Sequence, residues 1–209
     1  PQYRQFVLFV EPYNDIIFGL YSSKELVEWD QEINHGSDGA SEENYLCLDG
    51  DVAKELYGDE INSDWRFKYQ LEEKYYGFYY RTLKYNKQTE STNEGKTNNR
   101  MLPMIRMSEV YYIAAEAIFD TKPKEARGYL ELVKKGRGIS KKFDNVTNKS
   151  EFIDLLVNDA RREFLGEGQI FYMYKRLNRL IPASSYYSSD ILPTDENVVL
   201  PKPDSESNI

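Results

Sequence analysis

The pattern of apolar and polar positions divides the chain at residues 86–100, a stretch of fifteen without one apolar side chain. Before it, apolar residues come in short β-type blocks; after it, they recur at helical spacing. In the first part, Phe6–Val10 and Ile16–Tyr21 read as extended runs separated by a turn over residues 11–15. Ser22 and Ser23 open a short helical signal through Trp29, followed by a polar loop around His35. Val52, Leu56 and Tyr57 keep one short helical register. Residues 71–85 alternate aromatic and polar positions around Gly77, which predicts a strand or hairpin arm.

The second part predicts three helical segments. Met101-Leu102-Pro103 opens the first, in which Ile105, Val110, Ile113, Ala114, Ala117 and Ile118 form the expected inward face. Pro123 suits the first position of the next, since its missing N–H costs nothing there. That helix should stop at Gly136 or Gly138, with Lys134, Lys135 and Arg137 favouring the negative end of its dipole. The tight turn between the two predicts an antiparallel helix hairpin. Asn148 is a good N-cap for the third, with Glu151 three residues on to bond back. Phe152, Ile153, Leu155, Leu156, Val157, Ala160 and Phe164 cover more than one stripe, so this segment should be buried between neighbours. Pro193, Pro201 and Pro203 leave the tail extended.

Composition removes several function classes. Asp and Glu outnumber Lys and Arg 35 to 27, which argues against nucleic acid. One cysteine, Cys47, and one histidine, His35, leave no internal disulfide, no ordinary zinc site and no Ser-His-Asp triad. His35 reads as a solvated loop residue. Asp49, Asp51, Asp59 and Asp64 lack the spacing of a calcium loop. No run approaches the ~18 apolar residues a membrane-spanning helix requires. No cofactor or metal is implied. What the chain has in excess is aromatic surface, with 18 Tyr, 10 Phe and 2 Trp. Flat faces with polar edges suit sugars, peptides and protein partners.

Charge enters the third helical segment at Arg161-Arg162-Glu163, with Glu167 one turn on. Two like charges at i,i+4 repel unless a cation lies between them, so an internal ion-pair network is expected here. Arg106, Glu109 and Glu116 punctuate the first helical segment and are its expected partners. A glycosidase would need two carboxylates facing each other across a cleft; Glu163 and Glu167 as helical neighbours do not imply that separation.

Three of these segments resemble the C-terminal half of the SusD/RagB family. Residues 103–117 resemble its proline-led Arg-x-x-Glu helix ending in Ala-Glu-Ala, through Arg106, Glu109, Ala115, Glu116 and Ala117. Residues 129–139 are similar to its Leu-Asn-x-Val-Arg-x-x-Arg-Gly, keeping Leu130, Val133, Arg137 and Gly138. Residues 159–176 match its Arg-rich signature at Arg161, Arg162, Glu163, Phe164, Glu167 and Gly168. Glu131 and Lys134 depart from it, as do residues 170–174, which marks a divergent branch.

The resemblance implies a mainly α, tetratricopeptide-related fold with a few short strands and long loops. Residues 1–100 would be loop-rich and carry ligand-facing aromatics, and residues 101–209 would be the helical region. It also implies that the chain is a fragment, without the family's lipidated cysteine and most of its helical repeats. The whole protein would then be a non-enzymatic, lipid-anchored nutrient-binding subunit on the outer membrane, partnered with a SusC-like TonB-dependent transporter. Its ligand would be an oligosaccharide or a peptide, held on aromatic loops, here Trp29, Trp65, Tyr75, Tyr76 and Tyr79. The alternative is a helical-repeat scaffold that binds proteins and no glycan.

Overall fold

The computed structural model describes residues 15–21, 47–84, 101–183 and 189–199. The extended run at 6–10, the helical signal through Trp29, His35, the polar stretch 86–100 and the end of the tail lie outside them. The described residues fall into two compact units, one up to Gly166 and one from Glu167 onward. The fold is mainly helical, as expected.

In the first unit, strand β1 (Ile16–Tyr21) pairs antiparallel with β5 (Met101–Arg106), Ile16 opposite Arg106 and Tyr21 opposite Met101. The apolar spacing predicts a helical segment opening at Met101; instead the chain stays extended to Arg106. The cause is Pro103, which biases Leu102 away from the helical region and cannot donate to a helical ladder. A two-stranded ribbon tolerates it, because both of its strands are edges, where proline is accepted.

A second sheet has the order β2-β4-β3, with β2 at Cys47–Asp49, β3 at Leu71–Lys74 and β4 at Tyr79–Thr82. Strands β3 and β4 form the hairpin expected around Gly77. Helix α1 (Gly50–Tyr57) follows β2 directly, because the Asp49 carboxylate accepts from the backbone N–H groups of Asp51 and Val52 and caps it. Helix α2 (Trp65–Gln70) is capped the same way by Asp64. Ala53, Leu56, Tyr57, Leu71 and Tyr80 make a local core, and the Phe67 ring lies 5.0 Å from both Tyr57 and Tyr80.

Helices α3 (Met107–Ile118) and α4 (Pro123–Gly136) form the expected hairpin, and α5 (Lys149–Glu163) packs on it. Asn148 caps α5, accepting from the N–H groups of Ser150 and Glu151. Phe152, Leu156, Val157, Ala160 and Phe164 are buried as expected, and Phe152 stacks on Phe119 at 4.3 Å. The buried face of α3 is not the one the apolar beat selects. Ser108, Tyr112 and Ala115 point inward, while Val110 and Ile113 are 40% and 57% exposed. Tyr112 wins the interior because its hydroxyl has a buried carboxylate to meet, a partner that a hydropathy pattern does not contain.

In the second unit, α6 (Gln169–Arg176) follows Gly168, whose φ of +81° starts it from the left-handed region. Asn178, also left-handed at φ +51°, ends it. Ile181 and Ile191 form a two-bond bridge, and Asp195–Val198 makes one helical turn (α7) where an extended tail is expected. Among the described residues no helix is long and apolar enough to cross a membrane.

Candidate functional site

Three exposed aromatics gather at the β3–β4 turn. Tyr76 is fully exposed, Phe78 is 69% exposed and Tyr79 is 44% exposed. Water is a poor place for so much ring surface unless something else covers it. The turn is also held in an uncommon shape: Tyr76 has φ +56° and ψ +35°, a region that a bulky side chain rarely adopts. Such strain persists only where the surroundings over-determine it. Here they do. The Gly50 N–H donates to the Phe78 carbonyl at 2.8 Å, and a Cβ at Gly50 would lie 2.0 Å from the Gly77 carbonyl oxygen. No residue but glycine fits under this tip.

Beside the rings, a pocket of about 180 Å³ is lined by Asp49, Gly50, Asp51, Lys54, Tyr76, Gly77 and Phe78. Asp51 and Lys54 bond each other at 3.1 Å with both side chains largely exposed. The site therefore offers two ring faces, an acceptor and a donor, on a backbone fixed by β2 and α1. That combination is chemically able to stack on and hydrogen-bond a hydroxyl-rich ring.

The remaining aromatic candidates are placed differently. Trp65 is half-buried at the start of α2; its backbone N–H donates to the Arg137 carbonyl at 2.9 Å, and its indole fills the space where Gly138 lacks a Cβ. Tyr75 belongs to the same turn as Tyr76. Trp29 lies outside the described residues.

The charged signature forms a buried cluster behind the sheet and helices. Glu163 is its hub: its carboxylate accepts from Arg137 at 2.5 and 2.9 Å, from Arg106 at 2.5 Å and from Arg66 at 3.2 Å. Asp15 bridges Arg106 and Arg137 at 2.7 and 3.1 Å. Asp159, one helical turn before Glu163, accepts from Arg66 and from the Tyr112 hydroxyl, each at 2.7 Å. Asp64 clamps Arg66 through both oxygens, at 2.9 and 2.8 Å. Glu60 pairs with Lys134 at 2.8 Å and with Arg162, whose guanidinium lies over the Tyr57 ring at 5.2 Å. Lys84 Nζ donates to the Glu163 carbonyl at 2.6 Å, at the negative end of α5.

Burial pushes the Glu163 carboxyl upward, but the Arg137 and Arg106 charges outweigh it and hold the group well below the usual glutamate range. Asp159 is held down likewise by Arg66 and Lys134, against its burial. Tyr112 is pushed far up, by burial and then by the Asp159 charge. All three are thus fixed in single protonation states at neutral pH. This is a structural cluster, and its carboxylates are consumed by cations rather than aimed at a ligand.

Of the residues expected in that network, Arg106, Arg162 and Glu163 meet through it. Arg161 is half-buried, and its side chain has no ion pair or hydrogen bond among the described residues. Glu109 and Glu116 are half-buried on α3, and Glu167 belongs to the second unit. Sequence reasoning missed Asp15, Glu60, Asp64, Arg66, Lys134, Arg137 and Asp159. Lys134 and Arg137 are expected to favour the negative end of a helix dipole; both are buried, at 5% and 7% exposure, and take part in the cluster. The available signal was Asp159, which shares a face with Glu163 at i,i+4 and so demands cations from elsewhere. Among the described residues no group of His, Cys, Asp and Glu could hold a metal ion.

Comparison with known proteins agrees with this architecture. A structure of a SusD superfamily protein from Bacteroides thetaiotaomicron VPI-5482 superposes with a TM-score of 0.67 at 24% identity, over 99% of this chain and 50% of that one. A SusD superfamily protein from Bacteroides vulgatus ATCC 8482 gives 0.68 at 18% identity, over 97% and 47%. A candidate sugar-binding protein from the same strain gives 0.62 at 22% identity, over 93% and 44%. The chain thus spans about half the length of the solved structures it matches. No curated protein sequence matches it. The SusD family (SusD_RagB) profile matches residues 53–196, which takes in most of α1, the β3–β4 hairpin and the helices that carry the buried cluster, and the chain therefore belongs to the SusD family.

Proposed function

We propose that this chain is part of a cell-surface nutrient-binding protein that captures an oligosaccharide on the β3–β4 tip and passes it to a SusC-like TonB-dependent transporter. The observation that carries the reading is the Tyr76-Phe78 pair, highly exposed, with Tyr76 held in a left-handed backbone over Gly50, beside the Asp51–Lys54 pair. Family membership and the sugar-binding description of one structural relative support a glycan as ligand. The role is capture without chemistry: stacking and hydrogen bonding retain a ligand reversibly, which suits a subunit that must release it again. The whole protein would be tethered to the outer membrane by a lipid.

Calorimetric titration against a panel of oligosaccharides tests the reading. Binding by the unmodified protein and its loss in Tyr76→Ala and Phe78→Ala is the expected result. Binding unaffected by either change, or no binding to any glycan, removes the tip as the site.

The exposed Val110 and Ile113 on α3 favour a second reading, a scaffold whose helical face meets another protein. Recovery of the intact protein with cytosolic partners, rather than with a large β-barrel transporter, would favour it.

A further inference from the structure

We propose that a second cleft, between the end of α1 and the exposed side of α5, binds one neutral, hydroxyl-rich ring of monosaccharide size. It measures about 240 Å³, below the range of sites for drug-sized ligands, so it suits a single ring rather than a chain.

Its inner wall is pre-organised. Glu60 is held by Lys134 and Arg162, Asp159 by Arg66 and Tyr112, and Arg162 Nε donates to the Leu56 carbonyl at 2.9 Å. None of these groups needs a ligand, and none can swing out to meet one without breaking a buried pair. Its rim is the opposite. Glu55, Asp59, Asn158, Lys141 and Arg161 line the same cleft, and their side chains have no hydrogen bond or ion pair among the described residues.

The rim thus supplies two carboxylates, two cations and one amide. Hydroxyl groups both donate and accept, so a polyol can use acceptors and donors alike; a simple anion would meet Glu55 and Asp59 as repulsion. Val52 and Leu155, both half-buried in the wall, give the ring's C–H face an apolar surface. Gly58 at the edge has open space where a Cβ would stand. The inference rests on the glycan reading only for the kind of ligand, and it concerns a cleft whose lining shares no residue with the pocket at the hairpin tip.

Amide NMR of the intact protein tests it, with glucose, galactose, mannose and N-acetylglucosamine titrated singly and sodium sulfate as a separate arm. At least one sugar should shift the Gly58, Asn158 and Arg161 amides to saturation. Asn158→Trp, which fills the cleft from an exposed helical position, should abolish these shifts, and Tyr76→Ala should leave them unchanged. Arg161→Ala with Lys141→Ala should weaken the sugar by about tenfold, the scale of one or two polar contacts. No saturating shift with any of the four sugars overturns the inference, as does saturation by sulfate alone or persistence of the shifts in a folded Asn158→Trp. Cleft shifts in a protein that binds no oligosaccharide would reject the tip reading and leave this one standing.

Discussion

Arg66 Nη2 reaches Asp159 Oδ1 at 2.7 Å across 93 residues of sequence, with both side chains at 1% exposure. This contact joins the region that carries the hairpin to the helices that carry the family signature. Neither partner could sit there alone, because an isolated buried charge costs far more than the unit's net stability margin.

Removing the hub should therefore be severe. Glu163→Ala leaves Arg66, Arg106 and Arg137 without their shared counter-charge and should cost ~3–5 kcal/mol. Urea denaturation measures it, and a loss below about 1 kcal/mol, the level of an exposed pair, would contradict the buried cluster.

The same cluster fixes the acid limit. Folded-state pKa values of Glu163, Asp159 and Glu60 lie below their ordinary 4.5, 3.8 and 4.5. A depressed pKa adds stability that is complete above the unfolded value and is lost as pH falls through the folded one. Melting temperature should hold from pH 7 to about 5 and then fall progressively below about 4.5, the unfolded carboxylate range. In Glu163→Gln the fall should be shallower from a lower starting point; an unchanged slope would locate the acid sensitivity elsewhere.

Strain at Tyr76 predicts a trade between stability and binding. Its side chain is fully exposed, so Tyr76→Gly removes no packing and relieves a left-handed backbone worth ~1–2 kcal/mol. The variant should be more stable and bind oligosaccharide less. A destabilised Tyr76→Gly would mean that the ring is held by contacts that this structure does not contain.

Two glycines should behave in opposite ways. Gly128 lies within α4 with nothing near its missing Cβ, so Gly128→Ala should stabilise by ~0.5–1 kcal/mol. Gly50→Ala drives a methyl into the Gly77 carbonyl and should displace the tip, lowering melting temperature and glycan affinity together. Equal effects from the two changes would remove the close approach at Gly50 from the account.

How much of this was legible in the sequence follows from the range of each interaction. Asn148, Pro123 and the alternation around Gly77 act within a few residues, and the cap, the helix start and the hairpin are where they point. The inward face of α3 is set by Tyr112 meeting Asp159, 47 residues away, and hydropathy selects Val110 and Ile113 instead. Pro103 carried a strand signal that the neighbouring helical beat obscured. Among the site residues, Tyr76 and Tyr79 were visible as part of an aromatic excess. Gly50 was not, because its role depends on a backbone carbonyl brought near by the β2–β4 pairing.

The buried cluster takes members from residue 15, residues 60–66, residue 106, residues 134–137 and residues 159–163. A latch assembled from five separated stretches cannot be half-closed, since every incomplete version strands a charge away from water. Opening any one stretch raises the free energy of the other four, so this unit should come apart as a whole and resist proteases that depend on local fraying. On the proposed reading the same rule governs the hairpin tip: ring faces on a backbone tied to Gly50 would meet an oligosaccharide already in their binding shape, and little of the contact energy would be lost to ordering them.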